Sequence, residues 1–114
     1  MRSRLALLVA VVVAALLVVA GDVRAADPPE VALTIEQHRF VPEEIRVRAG
    51  TPFVLVITNK DATVEEFESH ELRLERIVPA GKTVRLRVRA LRAGRYPFVG
   101  EYHEKTATGR IVAE

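Results

Sequence analysis

Two short stretches of this sequence gather the residues that could do chemistry. Val64-Glu65-Glu66-Phe67-Glu68-Ser69-His70 holds three glutamates and a histidine. The final stretch, GRYPFVGEYHEKTATGRIVAE from Gly94 to Glu114, places Glu101, His103 and Glu104 between apolar Tyr96 and Phe98 on one side and Ile111 and Val112 on the other. In an extended strand Glu66 and Glu68 project from one face and Phe67 from the other. Carboxylates at that spacing can converge on one cation, and His70 would continue the same face. A loop that carries an imidazole and carboxylates between two buried strands is suited to a hard or borderline transition metal. The candidate metal ligands are therefore Glu66, Glu68, His103 and Glu101, with His38 of the Gln37-His38-Arg39 break as a further histidine. A solvated acidic edge that discourages edge-to-edge pairing is the competing reading of Glu66 and Glu68. For His103 it is an ordinary exposed loop histidine.

Nucleophilic catalysis has no basis here. The chain has no cysteine, no serine in a glycine elbow and no phosphate-cradling glycine loop.

The elements needed to position such a site are strands. Val31, Leu33 and Ile35 alternate with Ala32, Thr34 and Glu36; Ile45 and Val47 alternate with Arg46 and Arg48. Phe53 to Thr58 is apolar on both faces, which predicts a central strand covered on two sides. Asn59-Lys60-Asp61 is a turn. Leu72 to Ile77 fits a strand or a short helix. Val84, Leu86 and Val88 alternate with Arg85, Arg87 and Arg89, the water-facing side of an amphipathic strand or a docking surface. Seven or eight short strands with a turn every eight to twelve residues predict an all-β, antiparallel Greek-key β-sandwich.

At the N-terminus Arg2 and Arg4 precede a sixteen-residue apolar run, Leu5 to Ala20, followed by Gly21, Asp22 and Val23-Arg24-Ala25. That layout predicts a signal peptide over residues 1–25, cleaved near Ala25. The run falls short of the ~20 residues of a membrane span, so the mature protein is expected to be exported and free of the membrane; the resemblance given below implies the periplasm. The chain has 17 basic and 15 acidic residues. Removing 1–25, which hold Arg2, Arg4 and Arg24 against Asp22, leaves fourteen of each in the domain 26–114. No net positive charge remains for a nucleic-acid partner. An exported domain this small without disulfides must rely on packing, a metal or a partner.

Phe40-x-Pro42-x-x-Ile45-x-Val47-x-Ala49-Gly50, Asn59-x-Asp61, Pro79-Ala80-Gly81, Gly94-x-Tyr96-x-Phe98, His103 and Gly109-x-Ile111-Val112 follow one another over almost the whole of 26–114. Together they resemble the cupredoxins, which implies a two-sheet sandwich with a metal at one end. Blue-copper members carry a cysteine three residues before the last-loop histidine, where this chain has Gly100. No methionine stands near Thr106 to Thr108, and the Glu65-Glu66 pair replaces the first histidine. A copper–thiolate centre is therefore excluded. The Glu66-Phe67-Glu68 motif and His103 are similar to the iron-permease-associated cupredoxin-like proteins of bacterial ferrous-iron uptake, including the EfeO-type domain, whose cysteines have no counterparts here. That resemblance implies Glu66, Glu68 and His103 as ligands, with Glu101 and His38 as further candidates. It implies Fe(II) binding, either as carrier or as ferroxidase, and delivery of Fe(III) to an inner-membrane iron permease with a periplasmic iron-binding partner. A Cu(II) carrier without redox role and a metal-free interaction module are the alternatives. A homodimer in which two sites meet stays open.

Overall fold

In a computed structural model, residues 26–114 are described. The expected signal peptide, residues 1–25, lies outside them. Nine strands follow in chain order: β1 (Glu30–Glu36), β2 (Arg39–Val41), β3 (Glu44–Val47), β4 (Phe53–Asn59), β5 (Glu65–Ser69), β6 (Leu74–Val78), β7 (Thr83–Val88), β8 (Gly94–Gly100) and β9 (Thr108–Ala113). A 3-10 turn, Glu101–His103, links β8 to the loop before β9. Among the described residues no helix is long and apolar enough to cross a membrane.

The strands form two facing sheets, ordered β2-β1-β4-β7 and β3-β9-β8-β5-β6. The expected sandwich is present, but its sheets are mixed rather than purely antiparallel. β1 lies parallel to β4, and β3 lies parallel to β9. A parallel pair needs a crossover rather than a tight hairpin. For β1 and β4 it is supplied by β2 and β3, β2 folding back on β1 and β3 crossing to the other sheet.

The alternating side chains of both sheets meet in one core. Leu33, Ile35, Leu55, Ile57 and Leu86 face it from the first sheet, and Ile45, Phe67, Val78, Phe98 and Ile111 from the second. Phe40 stands edge-on to Phe98 and Phe67, with ring centroids 4.9 and 6.1 Å away, and Phe67 tilts against Phe98 at 5.1 Å. Gly109 is required beside this cluster, because a Cβ there would lie 2.5 Å from the Phe98 ring. The stretch 53–58 is the predicted central strand, flanked by β1 and β7. Leu72 to Ile77 resolves into a turn and then strand β6.

Two details shape the end of the sandwich that concerns function. Gln37 and His38 join β1 to β2 with φ of 54° and 56°, a two-residue turn of left-handed residues that matches strand twist. Neither is the glycine or asparagine usually found there. The Asp61 carboxylate compensates by accepting both backbone N–H groups, at 2.8 and 3.0 Å. Asn59, fully buried, accepts the Asp61 N–H and donates to the carbonyls of Thr63 and Val78. The asparagine turn thus fixes Asp61, and Asp61 fixes His38.

Candidate metal centre

Strand alternation decides where each glutamate of β5 points. Glu65, Phe67 and Ser69 turn into the sandwich, while Glu66 and Glu68 face outward, half-buried. The sequence-predicted ligands accordingly separate into two groups at the end formed by β5 and the 101–103 turn.

The outer group is acidic. Glu66 of β5, Glu75 of β6 and Glu101 of the turn each offer a carboxylate oxygen, and the three oxygens lie within 4.8 Å of one another. Among the described residues this is the one trio of histidine or carboxylate ligand atoms so placed. Glu68 stands directly across the β5–β6 ladder from Glu75. His70, almost wholly exposed, brings Nε2 to 3.5 Å from Glu68 Oε1. The charges oppose one another. The Glu66 carboxylate, then that of Glu68, pushes the Glu101 carboxyl up to about 7 from an ordinary 4.5. Partial desolvation, then the hydrogen bond to Glu66, raises the Tyr102 phenol as well.

This repulsion has a sign that can be measured. Between pH 4.5 and 7 the folded chain keeps the Glu101 proton that the unfolded chain has lost, so stability falls as pH rises through that window and levels off above it. Thermal melting of the metal-free protein should show a midpoint that declines from pH 5 to 7, with a shallower decline in Glu101→Gln. An equal slope in both would contradict the repulsion.

The inner group is an ion pair with a stacked neighbour. Glu65, with 1% of its side chain exposed, sets Oε2 2.5 Å from His103 Nδ1. Its Oε1 accepts the backbone N–H groups of Glu66 and Tyr102, each at 3.0 Å. The His38 ring lies parallel to that of His103, centroids 3.6 Å apart and planes at 14°. His38 Nε2 is 3.4 Å from the Thr63 hydroxyl.

Glu66, Glu68 and Glu101 are thus brought together, and so are His38 and His103. The two groups share the same turn, since Glu101 opens it and His103 closes it. Sequence reasoning misses Glu65 and Glu75. Glu65 lies on the face of Phe67, so strand alternation is the signal that marks it as buried. Glu75 is hidden because Leu72 to Ile77 fits two periodicities.

Gly100 ends β8 against the inner group. A Cβ on it would lie 2.7 Å from both Ala107 Cβ and Glu65 Cδ, and 3.0 Å from Glu65 Oε1. Contacts that short are not tolerated, so the Glu65 carboxylate fills the space into which a side chain at position 100 would grow.

The family model described as cupredoxin-like domain matches residues 7–113. An uncharacterized protein of Rickettsia prowazekii (strain Madrid E) is 41% identical over 83 residues, which cover 73% of this chain and 66% of that protein. Among solved structures, auracyanin A, a blue copper protein from Chloroflexus aurantiacus, superposes with a TM-score of 0.66 at 16% identity. The match covers 77% of this chain and all of auracyanin A. The metal-binding domain of the Streptococcus pneumoniae Cu(I)-exporting P-type ATPase CopA gives a TM-score of 0.65 at 14% identity, over 80% of this chain and 91% of that one. At such identities the likeness concerns the fold alone.

Proposed function

This chain belongs to the cupredoxin-like domain family, and from that premise we propose that it binds ferrous iron through its outer carboxylates. The observation that carries the reading is the trio of Glu66, Glu75 and Glu101, three oxygen ligands within 4.8 Å of one another on adjacent elements. Glu68 adds negative charge beside them. In this reading the protein works in the periplasm and passes iron to an inner-membrane permease.

The copper–thiolate centre of blue members of the family does not fit the residues present. The chain has no cysteine, and the place three residues before the last-loop histidine is closed by Gly100 packed on Glu65. No step is therefore assigned to such a centre. The outer donors are hard anionic oxygens, which stabilise Fe(III) more than Fe(II) and so lower the reduction potential of bound iron. Oxidation of the bound ion, one electron per iron passing to an acceptor such as dioxygen, is thereby favoured before release.

A second reading draws on the stacked His38 and His103. Imidazole nitrogens beside a carboxylate suit Cu(II), which also binds mixed N/O sites more tightly than Fe(II) on the general affinity order. Tight copper binding in vitro therefore does not identify the cargo.

Anaerobic titration with Fe(II), followed by admission of dioxygen, tests the iron reading. A metal-dependent rise in melting temperature and oxygen uptake on adding Fe(II) are expected. An unchanged melting temperature would contradict iron binding. Binding without oxygen uptake would leave a carrier rather than a ferroxidase.

A further inference from the structure

Glu65 is the one charged residue that is fully buried among the described residues, and the outer trio does not use it. A carboxylate taken out of water at that depth must have its oxygens satisfied. Three partners do so: the backbone N–H of Glu66, the backbone N–H of Tyr102 and the His103 imidazole. All three belong to the segments that carry the trio, since Glu66 is itself a member and Tyr102 and His103 follow Glu101 directly.

The sheet does not provide this tie. The β5–β8 ladder pairs Phe67 with Gly100 and Glu68 with Val99, and ends at Gly100, immediately before the turn. The turn itself buries no residue and has no side-chain cap. The other backbone bonds of this loop run within it or to the end of β8, as Ala107 N–H to His103 O and Gly100 N–H to Ala107 O do at 2.8 Å, and none of them reaches β5. Gly100, by lacking a Cβ, leaves the Glu65 carboxylate room to reach across.

We propose that Glu65 is the positioning residue of the cation site: its carboxylate clamps the 101–103 turn to β5, sets Glu101 opposite Glu66, and holds the His103 proton on Nδ1. As a carboxylate, Glu65 has only lone pairs to offer Nδ1, so the Nδ1 proton lies on the imidazole. Carboxylates that orient a ligand or its neighbour in this way alter metal affinity by about 10-fold to 100-fold when removed. The effect on binding rests on the iron reading above; the clamp is a property of the metal-free chain.

Glu65→Gln and Glu65→Ala separate the two. Glutamine keeps the volume and one oxygen for the two backbone donors, but turns an amide N–H toward His103. The imidazole must then accept at Nδ1 and carry its proton on Nε2. Long-range ¹⁵N–¹H spectra of the labelled, metal-free protein at pH 8 should show the Nδ1–H tautomer in the parent and the Nε2–H tautomer in the variant. In Glu65→Ala, amide exchange at Tyr102 should quicken by about tenfold or more while core amides stay protected. Fe(II) affinity should fall by about tenfold in Glu65→Ala, which removes the acceptor of the Tyr102 N–H and frees the turn that carries Glu101. An unchanged His103 tautomer in folded Glu65→Gln would overturn the clamp, as would a parent whose His103 lacks the Nδ1–H tautomer. An unchanged Fe(II) affinity in folded Glu65→Ala would overturn the role of Glu65 in the site. A parent without Fe(II) affinity would instead overturn the iron reading, and the spectra would still decide the clamp.

Discussion

Glu66→Gln combined with Glu101→Gln should weaken Fe(II) binding by about 100-fold or more and, at the same time, raise the thermal stability of the metal-free protein. The opposite signs follow from one cause. Glu66, Glu75 and Glu101 are held with oxygens within 4.8 Å of one another, and the strain of that arrangement shows in a Glu101 carboxyl pushed up to about 7. Replacing two carboxylates with amides removes repulsion from the metal-free protein and two anionic ligands from the loaded one. Losing a group that merely supports a ligand costs about 10-fold to 100-fold in affinity, so losing two ligands should cost at least the upper figure. Sites tuned for binding are commonly strained in this way, with stability given up for function. Isothermal titration of Fe(II) under anaerobic conditions, paired with melting curves at pH 7.5, reads both effects. A variant that bound iron as tightly as the parent would remove the outer trio from the account. A variant that melted earlier would show that Glu66 and Glu101 support the fold rather than strain it.

Phe98→Ala should cost about 3–5 kcal/mol. Phe98 is fully buried, stands edge-on to Phe40 at 4.9 Å and packs on Phe67 at 5.1 Å. The side chains around it are held by two sheets, so the cavity cannot close easily. Gly109, which leaves space for the Phe98 ring, would face that cavity too. Domains of this size have a total stability of about 5–15 kcal/mol, and each kcal/mol is worth about 4–8 °C in melting temperature. A fall of at least about 12 °C is expected, measured by thermal unfolding followed with two probes. The same loss should loosen the site, because Phe67 and Phe98 lie in the strands that carry Glu66 and lead to Glu101. A loss below about 1 kcal/mol would mean that the three-ring cluster is not the centre of the core.

Much of this architecture is legible in the order of the residues. Period-two alternation marks β1, β3 and β7, and the doubly apolar 53–58 stretch marks β4 as central. Local pattern carries no information about distant partners, however, and the parallel pairing of β1 with β4 and of β3 with β9 is invisible to it for that reason. The same limit applies to the site. Alternation places Glu66 and Glu68 on one face, opposite Phe67, as found. The Glu65–His103 pair joins residues 38 positions apart, and only the register of β5 on β8 brings them together. His38 stands out in the chain as a break between strands, but its left-handed backbone depends on Asp61, 23 residues away. Glu75 becomes a partner of Glu68 only through the register of β6 on β5.

In the proposed reading a cation is held on the outer face by carboxylates, and not beside the stacked imidazoles of His38 and His103. Anomalous scattering at the iron edge, from crystals of the full protein loaded with Fe(II) without oxygen, locates the ion directly. A single strong peak is expected among the Glu66, Glu75 and Glu101 carboxylates. A peak between His38 and His103, with none on the outer face, would contradict it.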